Sequence, residues 1–165
     1  MTTIGPARPA DLPALKSLIE RAYRGETARL GWTHEADLLE GERITLADLK
    51  ATVDAPETQM LVARDEDRIV GSVAITKVQP TLSYLGMLAV DPTLQSAGLG
   101  RKLLDAGEAL ARSGGAERLE MTVIDTREEL IAWYERRGYR RTGETRPFVI
   151  ELDPPLAFAV LEKSL

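Results

Sequence analysis

A chain of 165 residues with a net charge of −5, no cysteine and a single histidine has the size of one domain, residues 1–165, able to bury roughly 70% of the surface its unfolded form would expose. Those counts exclude disulfides, thiolate metal sites, a cysteine nucleophile and a multi-histidine metal centre, and the acidic balance argues against non-specific nucleic-acid binding, which needs a positive field. No apolar stretch approaches the ~20 residues of a membrane helix and no basic segment followed by an apolar run opens the sequence, so a soluble cytoplasmic protein without metal, membrane or nucleic-acid partners is expected.

Thr2-Thr3-Ile4 reads as a short edge strand that Pro6 and Pro9 end. Asp11 is placed to cap a helix whose apolar positions Leu12, Leu15, Ile19 and Ala22 keep helical spacing as far as Tyr23, before Gly25. From Tyr23 to Arg43 the chain mixes Gly, Trp, His and charged residues. Exposed aromatics beside glycines suit a binding loop, and packing of Trp32 onto the core is the alternative. Thr45 then caps a helix that ends before Pro56. Met60 to Arg64 and Ile69 to Val78 flank the polar turn Asp65-Glu66-Asp67-Arg68, a hairpin pattern. A further strand runs from Leu82 to Val90, and a helix from about Leu99 to Ser113 places Leu99, Leu103, Ala106 and Leu110 on one face before Gly114-Gly115 ends it. Arg118 to Ile124 is a strand, Leu130 to Arg137 a short helix closed by Gly138, and Tyr139 to Thr142 starts another strand. Pro147, Pro154 and Pro155 break up the linker before a last strand, Leu156 to Leu161. The fold class is α/β (α+β): antiparallel strands first, then alternating strands and helices.

The stretch Leu85 to Leu104 organises the rest. An apolar run stops at Asp91-Pro92, because proline has no amide for a strand ladder. The loop Gln95-Ser96-Ala97-Gly98-Leu99-Gly100 then leads into a helix. A buried strand, a loop of small residues and a helix start present backbone N–H groups to an anion. A nucleoside-triphosphate loop requires a hydroxyl residue after its lysine, but Lys102 is followed by Leu103. A dinucleotide loop requires a tight turn, but seven residues separate Val90 from Gly98, and Leu103 stands where the third small residue belongs.

Val90-Asp91-Pro92 with Gln95-Ser96-Ala97-Gly98-Leu99-Gly100 resembles motif A of the GNAT superfamily of acetyl-CoA-dependent N-acetyltransferases. Trp133-Tyr134-Glu135-Arg136-Arg137-Gly138-Tyr139 is similar to the family's second marker, a helix ending in tyrosine, then Gly and an aromatic. The resemblance covers nearly the whole chain. It implies a GNAT fold: a mixed, mostly antiparallel sheet of six to seven strands, flanked by about four helices, with splayed central strands. Gly86 or Met87 could host the bulge that splays them.

The resemblance also implies acetyl-CoA as co-substrate, with no metal. Its pyrophosphate would lie on the N–H groups from Gln95 through Ser96, Ala97, Gly98, Leu99 and Gly100 to Arg101, and its pantetheine arm on the backbone of Leu88, Ala89 and Val90. Leu88 N–H would be the oxyanion donor and Tyr134 the general acid toward the CoA thiolate. Where the family often has an asparagine seven positions before the tyrosine, this chain has Arg127. Arg127 is thus a candidate for the cofactor, for an acidic acceptor, or for pairing with Glu128 or Glu129. Glu120, His34 and Glu35 are candidate bases, with a water chain as the alternative. Tyr23, Trp32, His34, Glu35 and Arg43 are candidates for binding the acceptor, the amine of a small molecule or peptide. Arg136, Arg137, Arg140 and Arg141 could touch the CoA 3′-phosphate, although a helix C-terminus alone also attracts cations. A homodimer through the last strands follows from family habit. The alternative to catalysis is a GNAT-fold sensor or scaffold that binds acyl-CoA without transferring.

Overall fold

The computed structural model describes residues 2–23, 45–147 and 157–165. The strands are β1 (Thr2–Pro6), β2 (Thr58–Asp65), β3 (Arg68–Gln79), β4 (Leu82–Val90), β5 (Arg118–Ile124), β6 (Arg140–Pro147) and β7 (Ala157–Ser164). The helices are α1 (Leu12–Tyr23), α2 (Leu46–Asp54), α3 (Leu99–Ser113) and α4 (Glu128–Glu135). The strands form one seven-stranded sheet in the order β1-β2-β3-β4-β5-β7-β6. Every neighbouring pair is antiparallel except β4 and β5, which are parallel and joined through α3. Two apolar clusters lie on opposite faces. One gathers Leu103 and Leu104 of α3, Ile131 and Tyr134 of α4, and Leu119, Met121 and Val123 of β5. The other joins Leu15, Leu18 and Ile19 of α1 and Leu49 of α2 to Met60, Val62, Ala74 and Ala89. None of the helices described is long and apolar enough to cross a membrane.

Local chemistry explains the element ends. Thr45 Oγ1 accepts the Asp48 N–H at 3.1 Å and starts α2. Gly115 (φ +96°) and Gly138 (φ +98°) adopt left-handed backbone just after α3 and α4, where a β-carbon would be strained. Glu66 takes φ +56° in the β2–β3 turn.

Several expected elements differ. Asp11 does not cap α1. It closes a 3-10 turn over Pro9–Asp11, accepting the Arg8 N–H at 2.7 Å and accepting from the two terminal guanidinium nitrogens, Nη1 and Nη2, of Arg64 on β2. The buried stripe of α3 is Leu99, Leu103, Leu104, Gly107, Glu108 and Ala111, while Ala106 and Leu110 are half-buried. The stripe turned toward Glu108 because that carboxylate has partners waiting under the helix. Helix α4 starts at Glu128 rather than Leu130. Pro147 lies in β6, paired with Ala157 in its last rung, a strand end where a missing N–H costs little. The last strand extends to Ser164.

Candidate active site

The backbone builds the site. Strands β4 and β5 share only three rungs, Leu82–Arg118, Ser83–Leu119 and Tyr84–Glu120. Beyond Tyr84 the ladder stops, although both strands continue. Opposite the fork, the β3–β4 register slips: Ala74 pairs Gly86 but Ser72 pairs Ala89, so Met87 and Leu88 face Val73 alone. That is a β-bulge, and Met87 carries it at φ +52°. A methionine in left-handed backbone is uncommon. The buried Ser72 hydroxyl donates to Met87 O at 2.7 Å and helps hold it. Of the two positions expected to host the bulge, Met87 is the one.

After the bulge, Leu88, Ala89 and Val90 lead to the loop before α3. Asp91 fixes that loop. The Thr93 N–H and hydroxyl donate to its Oδ1 at 3.0 and 2.7 Å, and Arg68 and Arg21 lie 3.3 and 3.5 Å from its Oδ2. Burial pushes the Asp91 carboxyl up, and the Thr93 bonds with the two arginines more than offset it, leaving it below its usual range. A 3-10 turn over Pro92–Ala97 then delivers Gly98 at φ +81°, directly before α3. A β-carbon on Gly98 would meet nothing within 4 Å. The glycine is therefore demanded by the backbone, and the space beside it is open. A fifteen-residue helix leaves its first N–H groups without intrahelical acceptors, and its dipole favours an anion there.

Cations surround this helix head. Arg137 lies 3.8 Å above the Trp133 ring and donates to Trp133 O at 2.8 Å. A β-carbon on Gly100 would sit 3.8 Å from that ring, so α4 ends beside the start of α3. Burial lowers the proton affinity of Arg137, and the charges of Arg101 and Arg136 lower it further. The four arginines considered together therefore separate. Arg137 sits beside the head of α3, close enough to Arg101 to feel its charge, while Arg140 and Arg141 line a pocket on β6 and β7 with Glu162 and Lys163.

The remaining candidates divide between the faces. Tyr134 is buried in the α3–α4 cluster, its ring edge-on to Tyr139 at 5.8 Å. Arg127 is buried at the N-cap of α4, where its Nε donates to Glu129 Oε1 at 3.1 Å. Glu120 is buried on the opposite face, since Leu119 and Met121 beside it belong to the α3–α4 cluster. Its two oxygens accept from Arg146 Nη2 at 3.2 and 3.3 Å. Tyr23 ends α1. Trp32, His34, Glu35 and Arg43 lie outside the described residues. Sequence reasoning passed over Tyr84, Thr122 and Arg146. Alternation could have placed Tyr84 with Gly86 and Glu120 with Thr122, but nothing local signals that Arg146 reaches Glu120 across β7.

Comparison with known proteins agrees. The Acetyltransferase (GNAT) family model matches residues 14–139. The mycothiol acetyltransferase of Salinispora arenicola is 34% identical over 143 residues, covering 78% of this chain and 47% of that protein. The glucosamine 6-phosphate N-acetyltransferase of Trypanosoma brucei brucei is 28% identical over 134 residues, covering 76% of this chain and 88% of that protein. The crystal structure of the ribosomal-protein-S18-alanine N-acetyltransferase from Escherichia coli superposes with a TM-score of 0.77 at 18% identity, covering 99% of this chain and 94% of that one. The chain spans less than half the length of the mycothiol acetyltransferases it matches.

Proposed function

This chain belongs to the GNAT family of acetyltransferases, and we propose on that premise that it moves an acetyl group from acetyl-CoA to the amine of a small molecule or peptide by direct attack. One observation carries the reading: the fork between β4 and β5, with its bulge at Met87, opens on the strand end that feeds Gly98 and the head of α3. A slot for an extended arm and a seat for its phosphates lie in sequence along one strand.

Acetyl-CoA supplies the activated acyl carbon and a thiol leaving group. The chain supplies the rest. N–H groups from the loop Gln95 to Ala97 and from Gly98, Leu99, Gly100 and Arg101 hold the phosphates, with Arg136 and Arg137 adding positive charge. Backbone of Leu88, Ala89 and Val90 orients the arm, and Leu88 N–H donates to the carbonyl oxygen as it gains charge. Arg127 steadies the arm from the base of α4. The fork passes between the sheet's two faces, so the acid and the amine can meet the thioester from opposite sides. Tyr134 gives the sulfur its proton from the α4 side, since a tyrosine is protonated at neutral pH. Glu120 takes the amine proton from the other. The acceptor is bound by Tyr23 and by Trp32, His34, Glu35 and Arg43 of the segment that follows it in the sequence.

The test is CoA-thiol release from acetyl-CoA against glucosamine 6-phosphate, spermidine, lysine and a peptide with a free N-terminus. Turnover is expected with at least one amine, and Tyr134→Phe should lower kcat at least about 100-fold with acetyl-CoA affinity near wild type. Binding of acetyl-CoA without release for any amine would instead make this chain an acyl-CoA sensor, and unchanged kcat would remove Tyr134 from the mechanism.

A further inference from the structure

We propose that the hydroxyl pair Tyr84–Thr122, lying across the parting of β4 and β5, seats the acceptor amine; this rests on the fork being the transfer site. Tyr84 is on the last rung of the parallel ladder, opposite Glu120. Its ring leans along β4, because a β-carbon on Gly86 would come within 3.2 Å of Tyr84 Cε1. A glycine at 86 is what leaves that path open. At its end the Tyr84 hydroxyl shares a hydrogen bond with Thr122 Oγ1 at 2.7 Å. Thr122 stands two residues past the last rung on the other strand. A side-chain bond therefore continues across the fork after the backbone bonds have ended.

The pair lies on the face away from Tyr134. Leu85, Leu119, Met121 and Val123 point into the α3–α4 cluster, so Tyr84 and Thr122, their neighbours in alternation, point the other way. Two hydroxyls that share one bond spend one O–H between them, leaving a second O–H and several lone pairs for an incoming group. An attacking amine needs its N–H bonds accepted and its lone pair turned to the acyl carbon. A neutral hydroxyl does this without favouring the unreactive ammonium form, as a carboxylate would. The seat therefore suits a primary amine, whose N–H bonds the hydroxyls accept while the neighbouring Glu120 carboxylate is held by Arg146. As the C–N bond forms and the C–S bond breaks, the amine proton passes to Glu120 beside Tyr84, and the thiolate takes its proton from Tyr134.

Tyr84→Phe keeps the ring over Gly86 and Thr122→Val keeps the side-chain shape, so both test the hydroxyls with the fold intact. With the best amine of the panel above, each is expected to lower kcat/KM for the amine about 10-fold, the worth of one good hydrogen bond, with the acetyl-CoA KM and the melting temperature unchanged. The double variant should cost little more than either single one, because the two hydroxyls act as a unit. Thr122→Ser should restore wild-type behaviour. Gly86→Ala, which displaces the ring and leaves both hydroxyls present, should reproduce the Tyr84→Phe loss. Single variants with wild-type amine kcat/KM, losses that multiply in the double variant, or an equal loss toward acetyl-CoA would each overturn the seat. If the wild type binds acetyl-CoA in calorimetry but acetylates no amine, the transfer reading fails first and the seat falls with it. Turnover by the wild type with indifferent variants removes the seat alone.

Discussion

The two faces of β5 differ in how they treat polar groups. On the α3–α4 face, Leu119, Met121 and Val123 are buried among apolar neighbours, and the charge admitted nearby is enclosed. Glu108 accepts from the Tyr139 hydroxyl at 2.9 Å and from Lys163 Nζ at 3.0 and 3.1 Å. Burial pushes the Tyr139 hydroxyl well above its ordinary value, and the charge and hydrogen bond of Glu108 add to this, so it stays a donor. On the other face, Glu120 is buried, but its partner Arg146 is 38% exposed, and Arg118, 42% exposed, pairs with Glu162 at 3.3 Å. On one face the buried carboxylate is satisfied by a buried hydroxyl and a largely buried ammonium, whereas on the other its partner guanidinium is more than a third exposed. The first arrangement stabilises; the second can do chemistry.

The largest effect should come from breaking the closed group. Glu108→Ala leaves the Lys163 ammonium and the Tyr139 hydroxyl without their acceptor, which should cost about 3–5 kcal/mol of stability. Urea denaturation measures the loss, while kcat per folded molecule stays at the wild-type value. A cost below about 1 kcal/mol, in the range of an exposed pair, would mean that the two faces are not different in kind.

The open face is probed by Glu120→Gln. The amide keeps the size and still accepts from Arg146 but cannot take a proton. The expected result is a fall of about 10- to 100-fold in kcat/KM for the amine at neutral pH, with stability changed far less than in Glu108→Ala. A rate within about two-fold of wild type, too small for a lost general base, would hand the proton to water and leave Glu120 as a partner for Arg146.

What could be read from the sequence follows the same division. Val90-Asp91-Pro92, Gly98, Gly114-Gly115 and Gly138 mark element ends that depend on one or two residues; the end of β4 and both ends of α3 fall where the sequence placed them, while α4 stops at Glu135, two residues short of the expected Arg137. The loop feeding α3 was legible for that reason. The bulge was half legible: Gly86 and Met87 both qualified, and the slip between Ser72 and Ala74 decided for Met87. What could not be read depends on distant partners. Glu108 entered the buried stripe of α3 because Tyr139 and Lys163 lie 31 and 55 positions further on. Arg146 met Glu120 through β7. Asp11 had the spacing of a cap, and Arg64, 53 positions away, took its carboxylate instead.

That last pair gives the smallest effect and a test of how α1 closes its half of the face. The Arg64 hydrogen bond holds the Asp11 carboxyl below its ordinary value; burial works in the opposite direction, and the Arg8 amide adds to the lowering. A carboxyl depressed in the folded state contributes stability above its unfolded value, about 3.9, and loses it as the pH falls through the lower folded value. Asp11→Asn has no such term. Wild type should therefore exceed the variant by about 1 kcal/mol at neutral pH, and the gap should close as the pH falls below about 4. Urea denaturation at neutral and acidic pH reads both. A gap that persists unchanged in acid would show that shape and hydrogen bonding, not the Asp11 charge, fix α1 against β2. Acetyl-CoA binding should not respond to this variant, because the head of α3 is held by Asp91 and Gly98 rather than by the start of α1.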